Sequence, residues 1–330
     1  MAKVLIYGAT GYTGKMLARL AAKEGMAFAV GGRNRVKVEA LAGEVGVEAV
    51  VFDVNDTAAM KAALQDVTCI ISAAGPFTET AEQVIDACID TKTHYIDTTG
   101  ELPVFELAHS SDEAAKKAGI MLMPGAGWDV VPSDCIGLYA AEKVKDVKTV
   151  RLAIVHKNAM PSRGTLRTGL SIVGRGVFVR RDGELVEAEE PMPTHEFDLG
   201  FKKVTGSLTP MGDLVTTYKS TGAPNIEVYS NSMGAITMPE GGVDAFPEGP
   251  SREQLDAWQA FAAAEATGAD GSIARAVIET VSGYDFTAIA GIGIAQRIVD
   301  GNFKPGFQSP ASAYGAELAT ELGGTITDIA

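Results

Sequence analysis

Residues 1–20 read MAKVLIYGATGYTGKMLARL. The run before Gly8 suits a buried strand, Gly8, Gly11 and Gly14 follow at intervals of three, and the segment from Thr13 to Gly25 has the spacing of an amphipathic helix. A strand, a glycine-spaced turn and a helix bring main-chain N–H groups to a helix N-terminus. There they hold a phosphate that a Cβ would keep away. The stretch therefore predicts a dinucleotide pyrophosphate site at Gly8, Gly11 and Gly14, with Thr10, Tyr12 and Thr13 adding polar contacts or capping. Glycines alone would equally serve a tight turn; their place at the first strand-to-helix junction of an alternating chain favours the ligand.

That alternation runs to about residue 145. Strand-like segments KVLIYG, AFAVGG, EAVVFD, CIISAAG, THYID and IMLMPG are separated by helical runs such as TGKMLARLAAKEG, stopped at Gly25, and TETAEQVIDACIDT. The pattern predicts an α/β protein whose N-terminal part is a doubly wound parallel sheet of the Rossmann type. After VVPSDCIGLYAAEKV the texture changes to longer strands, VKTVRLAIVH, GVFVRRDGELVEA (turning at Arg181-Asp182-Gly183) and NIEVYSNSM, which predict a second α/β domain on a mixed or antiparallel sheet. Helices are expected near Ser251 to Glu265 and Tyr284 to Val299, and a long loop over MPEGGVDAFPEGPS. The expected division is 1–130 for the cofactor and 131–330 for substrate and dimerisation, with C-terminal helices returning to the first domain.

The end of the second strand selects the nucleotide. An NAD site places a carboxylate there for the ribose 2′-hydroxyl, and an NADP site places a cation for the 2′-phosphate. Here the chain reads AVGGRNRVK, with no carboxylate before Glu39, so Arg33, flanked by Asn34, predicts NADP(H). Arg35 and Lys37 suit a solvated helix start. Asp53, closing the third strand, either meets the adenine edge or caps the following helix. The small residues of SAAGPF, with Ala74, Gly75, Pro76 and Phe77, let the chain pass close to the nicotinamide half, or simply end a strand.

Composition narrows the partners. A formal net charge of -14 disfavours nucleic acid and anionic membrane surfaces. No apolar run is long enough for a span, and the N-terminus leads straight into a strand, so neither a membrane segment nor a secretory signal is expected. Cys69, Cys88 and Cys135 form no CxxC pair, and the four histidines show no HxxxH or HExxH spacing. A reducing cytoplasm and no metal site are the expectations.

Taken together, GATGYTG, GGRN, AAGPF, ACIDTKTHYIDTTGE, PGAGWDVVPSD and GFQSPASAYG resemble the saccharopine dehydrogenase-like NAD(P)-binding oxidoreductases, in particular the short trans-acting enoyl reductase-like members. The resemblance implies a Rossmann domain followed by a domain that covers the nicotinamide. It implies that Gly8 to Gly14 hold the pyrophosphate, Arg33 the 2′-phosphate and Ala74 to Phe77 the nicotinamide ribose. Thr98, Thr99, Gly100 and Glu101 would lie at the carboxyl edge of the sheet, and PGAGWDVVPSD would continue the wall. Trp128 stands where a smaller aromatic such as Phe is expected. The insertions of the longer lysine-pathway enzymes are absent, which argues against saccharopine as the substrate.

Hydride transfer is the cofactor's chemistry, so the protein must orient the substrate and supply a proton. Candidates are Asp129, as base or anchor for an amino group or else a turn residue, and His94, beside Tyr95 and Asp97, as catalyst or core hydrogen-bonding group. Tyr139 and Lys143 form a YxxxK, an acid/base pair in short-chain dehydrogenases but late in its helix here, where packing suits it better. From Arg151 to Arg181 there are seven Lys or Arg and no Asp or Glu. Arg163 and Arg167 would share a helix face, capped by Ser162, and either hold a substrate carboxylate or phosphate, pair with the acidic body or lie at a subunit contact. The expectation is an NADP(H)-dependent oxidoreductase reducing a C=C, C=O or C=N bond of a small substrate, working as a homodimer. The rivals are a non-catalytic NADP sensor and a lyase or isomerase with retained nucleotide.

Overall fold

The computed structural model describes residues 4–172, 176–231 and 240–330. Strand and helix alternate as the hydrophobic pattern predicts: β1 (Val4–Tyr7), α1 (Tyr12–Lys23), β2 (Phe28–Gly32), α2 (Arg35–Val45), β3 (Glu48–Val51), α3 (Thr57–Leu64), β4 (Cys69–Ser72), α4 (Ala81–Thr91), β5 (His94–Asp97), α5 (Leu102–Ser110), α6 (Asp112–Ala118) and β6 (Met121–Met123). Every residue of β1, β4 and β5 is buried, as a sheet covered on both faces requires. The strands are parallel in the order β3-β2-β1-β4-β5-β6, so the order reverses between β1 and β4. Sheets of this order form their ligand crevice at that switch point, beyond the carboxyl ends of the strands.

The chain then leaves through α7 (Val131–Ala141) for a second sheet: β7 (Val147–Lys157), α8 (Arg163–Ile172), β8 (Phe178–Arg181), β9 (Glu184–Glu187), β10 (Thr194–Asp198), β11 (Lys203–Leu208), α9 (Asp213–Thr221), β12 (Asn225–Ser230), α10 (Arg252–Ala257), β13 (Gln259–Gly268) and β14 (Ile273–Thr280). It returns through α11 (Gly283–Val299) and β15 (Gly306–Phe307), and closes with α12 (Pro310–Tyr314), α13 (Leu318–Glu321) and β16 (Thr325–Ile329). The second sheet runs β10-β11-β12-β7-β13-β14-β16, with β8 and β9 attached beside β12. Only the β12–β7 pair is parallel among the described strands, so the sheet is mixed. The β8–β9 turn is at Asp182 and Gly183, both with positive φ (48° and 88°), the geometry of a tight hairpin.

One expectation fails. The helix expected over Ser251 to Glu265 stops at Ala257, and Gln259–Gly268 is a central strand. Its alanines favour a helix in isolation, but β7 and β14 pair with both of its edges. Ala260, Ala262, Ala264 and Ala266 face the main core, and Phe261 and Ala263 face a smaller one on the opposite side. The small alanines admit α7, which packs on this strand. The segment written MPEGGVDAFPEGPS carries a short 3-10 turn at Gly242–Ala245; its first two residues, and Ser232 and Met233 of the NIEVYSNSM stretch, lie outside the described residues.

α11 and β15 tie the second half to the first. α11 packs on α1, β4 and β5, and β15 pairs in parallel with β6.

Candidate functional site

The three opening glycines have different neighbours. A Cβ on Gly8, which has φ of 74°, would lie 2.6 Å from the Ala73 carbonyl carbon, and one on Gly14 would lie 2.3 Å from the Gly8 carbonyl oxygen. Both positions are closed by the protein itself: Gly8 lets the β1 turn touch the β4 loop, and Gly14 lets α1 press on the turn. At Gly11 a Cβ would meet only the Gly8 oxygen, at 3.4 Å, and the residue is exposed. Gly11 is therefore the glycine that leaves room for a ligand. It is also the N-cap of α1, with no side-chain cap and no acidic residue in the first turn, so the leading amides of a 12-residue helix face the crevice.

At the end of β2, Arg33 is exposed and makes no hydrogen bond or ion pair with any described residue. Its neighbours are engaged: Arg35 pairs with Glu39, and the Asn34 side chain accepts the Lys37 N–H as the α2 cap. Asp53 does not cap α3; Asp56 does, accepting the Ala59 N–H. Asp53 Oδ1 instead accepts two bonds from Asn55, at 2.9 and 2.8 Å, and these hold its carboxyl below the usual range.

Beyond β4, Ala74, Gly75, Pro76 and Phe77 form the loop that abuts Gly8. Its far end is held by Glu101, which is 1% exposed: Oε1 accepts the Phe77 N–H at 2.8 Å and Oε2 the Thr78 N–H at 2.9 Å. Beside Glu101, Gly100 faces Asp129, whose Oδ2 would be 3.3 Å from a Cβ there. The Asp129 carboxyl has no hydrogen-bond partner among the described residues, and burial pushes its pKa up to about 6. It lies at the carboxyl edge of the sheet and keeps a partly exposed surface.

The second half supplies a wall of aromatic groups. Trp128 is buried, with its indole N–H on Thr280 Oγ1 at 2.7 Å and its ring 4.3 Å from His156. The Trp258 indole donates to His156 Nδ1, and burial pushes that imidazole down to about 4, so it is neutral. Tyr284 packs edge-on to both Tyr12 and Trp258, and its hydroxyl meets the Ser162 N–H and Thr165 Oγ1, each at 2.7 Å. Ser162 caps α8 as expected, accepting the Thr165 N–H. The Tyr12 hydroxyl reaches across to the Pro250 carbonyl and Lys15 pairs with Glu248, which fastens residues 248–250 over the glycine turn. Thr10 and Thr13 lie in the same turn.

Three catalytic expectations do not reach this place. His94 opens β5 and so lies at the opposite edge of the sheet from Asp97, about 10 Å away along the strand. Its Nδ1 accepts the Met121 N–H at 2.9 Å, and burial pushes its pKa down to about 4. Tyr139 is about 12 Å down the axis of α7 from its crevice end. Lys143 sits 4.0 Å over the Tyr139 ring and pairs with Asp328 on β16, so the YxxxK is a packing pair at the far side. Of the basic run, Arg151 and Arg181 are neutralised by Glu227, Arg151 also by Glu265, and Arg167 by Asp244. Arg163 alone among its described arginines has a guanidinium without a protein partner; Arg175 lies outside the described residues.

Behind the wall is an acid cluster that sequence spacing did not reveal. Asp213 is fully buried and hydrogen-bonded to Ser133, whose hydroxyl also meets the Val130 carbonyl. Ser133 has one proton, so both bonds are satisfied when Asp213 is protonated, and burial pushes Asp213 up to about 8. Glu101, Tyr284 and His156 were also not singled out for these contacts, because no fixed spacing joins them to the glycine motif.

The glycine turn, the switch-point order and the free Arg33 agree with the comparison of this segment to known families: residues 4–123 match the model described as saccharopine dehydrogenase NADP binding domain. The matched stretch is the parallel sheet from β1 to β6 with its helices. Around it, the chain is 26% identical over 181 residues to the saccharopine dehydrogenase-like oxidoreductase of Rattus norvegicus, covering 48% of this chain and 42% of that protein. It is 32% identical over 141 residues to the trans-acting enoyl reductase of Mycobacterium leprae, covering 40% of this chain and 34% of that protein. The chain thus spans less than half the length of these curated relatives. A lipid droplet localized protein of Caenorhabditis elegans is 26% identical over 145 residues, 40% of this chain and 34% of that one. The apo saccharopine dehydrogenase (L-Glu forming) of Saccharomyces cerevisiae superposes over 100% of both chains with a TM-score of 0.65 at 15% identity, a likeness of fold that extends past the NADP-binding domain into the second sheet. No helix among the described residues is long and apolar enough to cross a membrane.

Proposed function

We propose that the chain is an NADP(H)-dependent oxidoreductase that reduces a C=C, C=O or C=N bond of a small substrate. The observation that carries the reading is Asp129: an unpartnered carboxyl, raised to about 6, at the crevice edge of an NADP-binding domain. The residues fit the cofactor. The open side of Gly11 and the uncapped α1 amides suit the pyrophosphate, and the free Arg33 suits the 2′-phosphate. Ala74 to Phe77 suit the place of the nicotinamide ribose, with the buried Trp128 and Tyr284 in the wall of the second half. When bound, NADPH supplies the hydride; protonated Asp129 supplies the proton that completes the reduction. Arg163, the arginine of α8 left without a partner, is the candidate to meet an anionic group on the substrate.

The same reading puts the protein in the cytoplasm, in keeping with three buried free cysteines, and makes it a homodimer, in keeping with β10 and β16 ending the second sheet among the described strands.

The test is a fluorescence titration with NADPH and NADH in parallel, on the protein and on Arg33→Ala, followed by acceptors bearing each bond type, read by loss of NADPH absorbance. NADPH is expected to bind more tightly than NADH, and the variant to lose about 10- to 100-fold of NADPH affinity with NADH unchanged. Binding without turnover of any acceptor would replace the enzyme with a sensor, and absence of binding would remove both.

A further inference from the structure

Glu101 is a buried anion with no cationic partner among the described residues; it is satisfied by N–H and O–H donors from separate segments. Phe77 and Thr78 donate from the β4 loop, and the Thr168 hydroxyl of α8 reaches Oε1 at 3.3 Å. Thr168 Oγ1 also lies 3.5 Å from where a Gly75 Cβ would be, so α8 rests directly on that loop. On its own side Glu101 is fixed by its N–H on Thr99 Oγ1 and by a bridge to Met211. Burying a carboxylate is unfavourable unless its oxygens are met by donors, and a two-oxygen grip on successive amides sets the direction of a loop more tightly than one bond can.

We infer that Glu101 is a positioning residue for the nicotinamide half of the cofactor: its carboxylate fixes the Ala74 to Phe77 loop in the open shape that admits the nicotinamide ribose and registers α8 against it. The inference rests on the NADP(H) reading above. It deepens that reading by separating two parts of the cofactor site. Gly11 and Arg33 hold the adenosine diphosphate part and need nothing from Glu101. The β4 loop holds the nicotinamide part and depends on it.

The experiment compares binding of NADPH with binding of 2′,5′-ADP, which carries the 2′-phosphate and adenosine but no nicotinamide, for the protein and for Glu101→Gln and Glu101→Asp. Glu101→Gln puts an NH2 where one acceptor stood, facing a backbone N–H. Glu101→Asp keeps the charge but is one methylene too short to reach both amides. NADPH affinity is expected to fall about 30-fold in Glu101→Gln and about 10-fold in Glu101→Asp, with 2′,5′-ADP affinity within twofold of the parent in both. Should Glu101→Gln not fold, Glu101→Asp decides alone. Parallel loss of both ligands, or NADPH affinity retained, overturns the inference. Failure of the parent protein to bind either ligand refutes the NADP(H) reading itself, a distinct outcome.

Discussion

The glycine turn and the basic run of α8 and its flanking strands look equally pointed in the sequence, yet the structure treats them differently. At the turn, residue type is dictated by atoms a few ångströms away: Gly8 and Gly14 sit where any Cβ would strike backbone. In the run from Arg151 to Arg181, charges look gathered for a ligand, but Glu227 and Glu265 arrive from β12 and β13 to neutralise Arg151 and Arg181. Steric demands of the main chain are local and can be read from spacing. Charge pairing in a mixed sheet is settled by strands distant in sequence.

The sharpest way to break this contrast is at Gly14. Gly14→Ala drives a methyl to 2.3 Å from the Gly8 oxygen and is expected to destabilise the fold by about 3 kcal/mol, seen as a lowered Tm. Gly11→Ala, by comparison, should leave the Tm within a degree or two of the parent and weaken NADPH about 10-fold. Equal Tm losses would mean that the two glycines are not divided between packing and ligand.

A second prediction concerns the group where the two regions meet. Asp129→Asn is expected to lower kcat for reduction about 100-fold. In the parent, kcat/KM should fall as pH rises through about 6, because reduction needs the protonated acid. A flat profile, with Asn as active as Asp, would move the proton donor elsewhere.

In the second region the group to alter is Asp213. The folded protein holds this proton up to about pH 8, whereas the unfolded chain releases it near the ordinary aspartate value of 3.8. Between those values the native state binds more protons, so stability falls as pH rises, by up to about 1.4 kcal/mol per pH unit, and levels off above 8. Asp213→Asn should flatten that slope in denaturant melts collected from pH 4.5 to 8.5; an unchanged slope would assign it to other groups.

The first sheet was legible because most of its strands are short apolar runs alternating with helical periods, and its glycine turn marks the first strand-to-helix junction. Arg33 was legible for a related reason, since its position follows from counting strands. The strand Gln259–Gly268 was not, because alanines score as helix until the neighbours that pair with them are known. For His94 and the Tyr139 and Lys143 pair the packing alternative is the one whose contacts the structure has, one at the amino end of its strand and the others far along their helix. Asp129 was legible as a candidate, but its lack of a partner is a three-dimensional fact. Glu101 was placed at the right edge by strand order, whereas its hold on Phe77 and Thr78 depends on a loop about two dozen residues earlier.

The return of α11 and β15 to the first sheet also has a mechanical meaning. The chain passes from one sheet to the other at α7, comes back between Thr280 and Gly283, and leaves again after Phe307 to reach β16. A single connection would let the lobes pivot freely, and two would define a hinge line. Three crossings resist swinging about any one axis, and residues 248–250 span the glycine turn as a further tie, held by the Tyr12 hydroxyl on the Pro250 carbonyl, the Lys15–Glu248 ion pair and the Arg163 N–H on the Glu248 carbonyl.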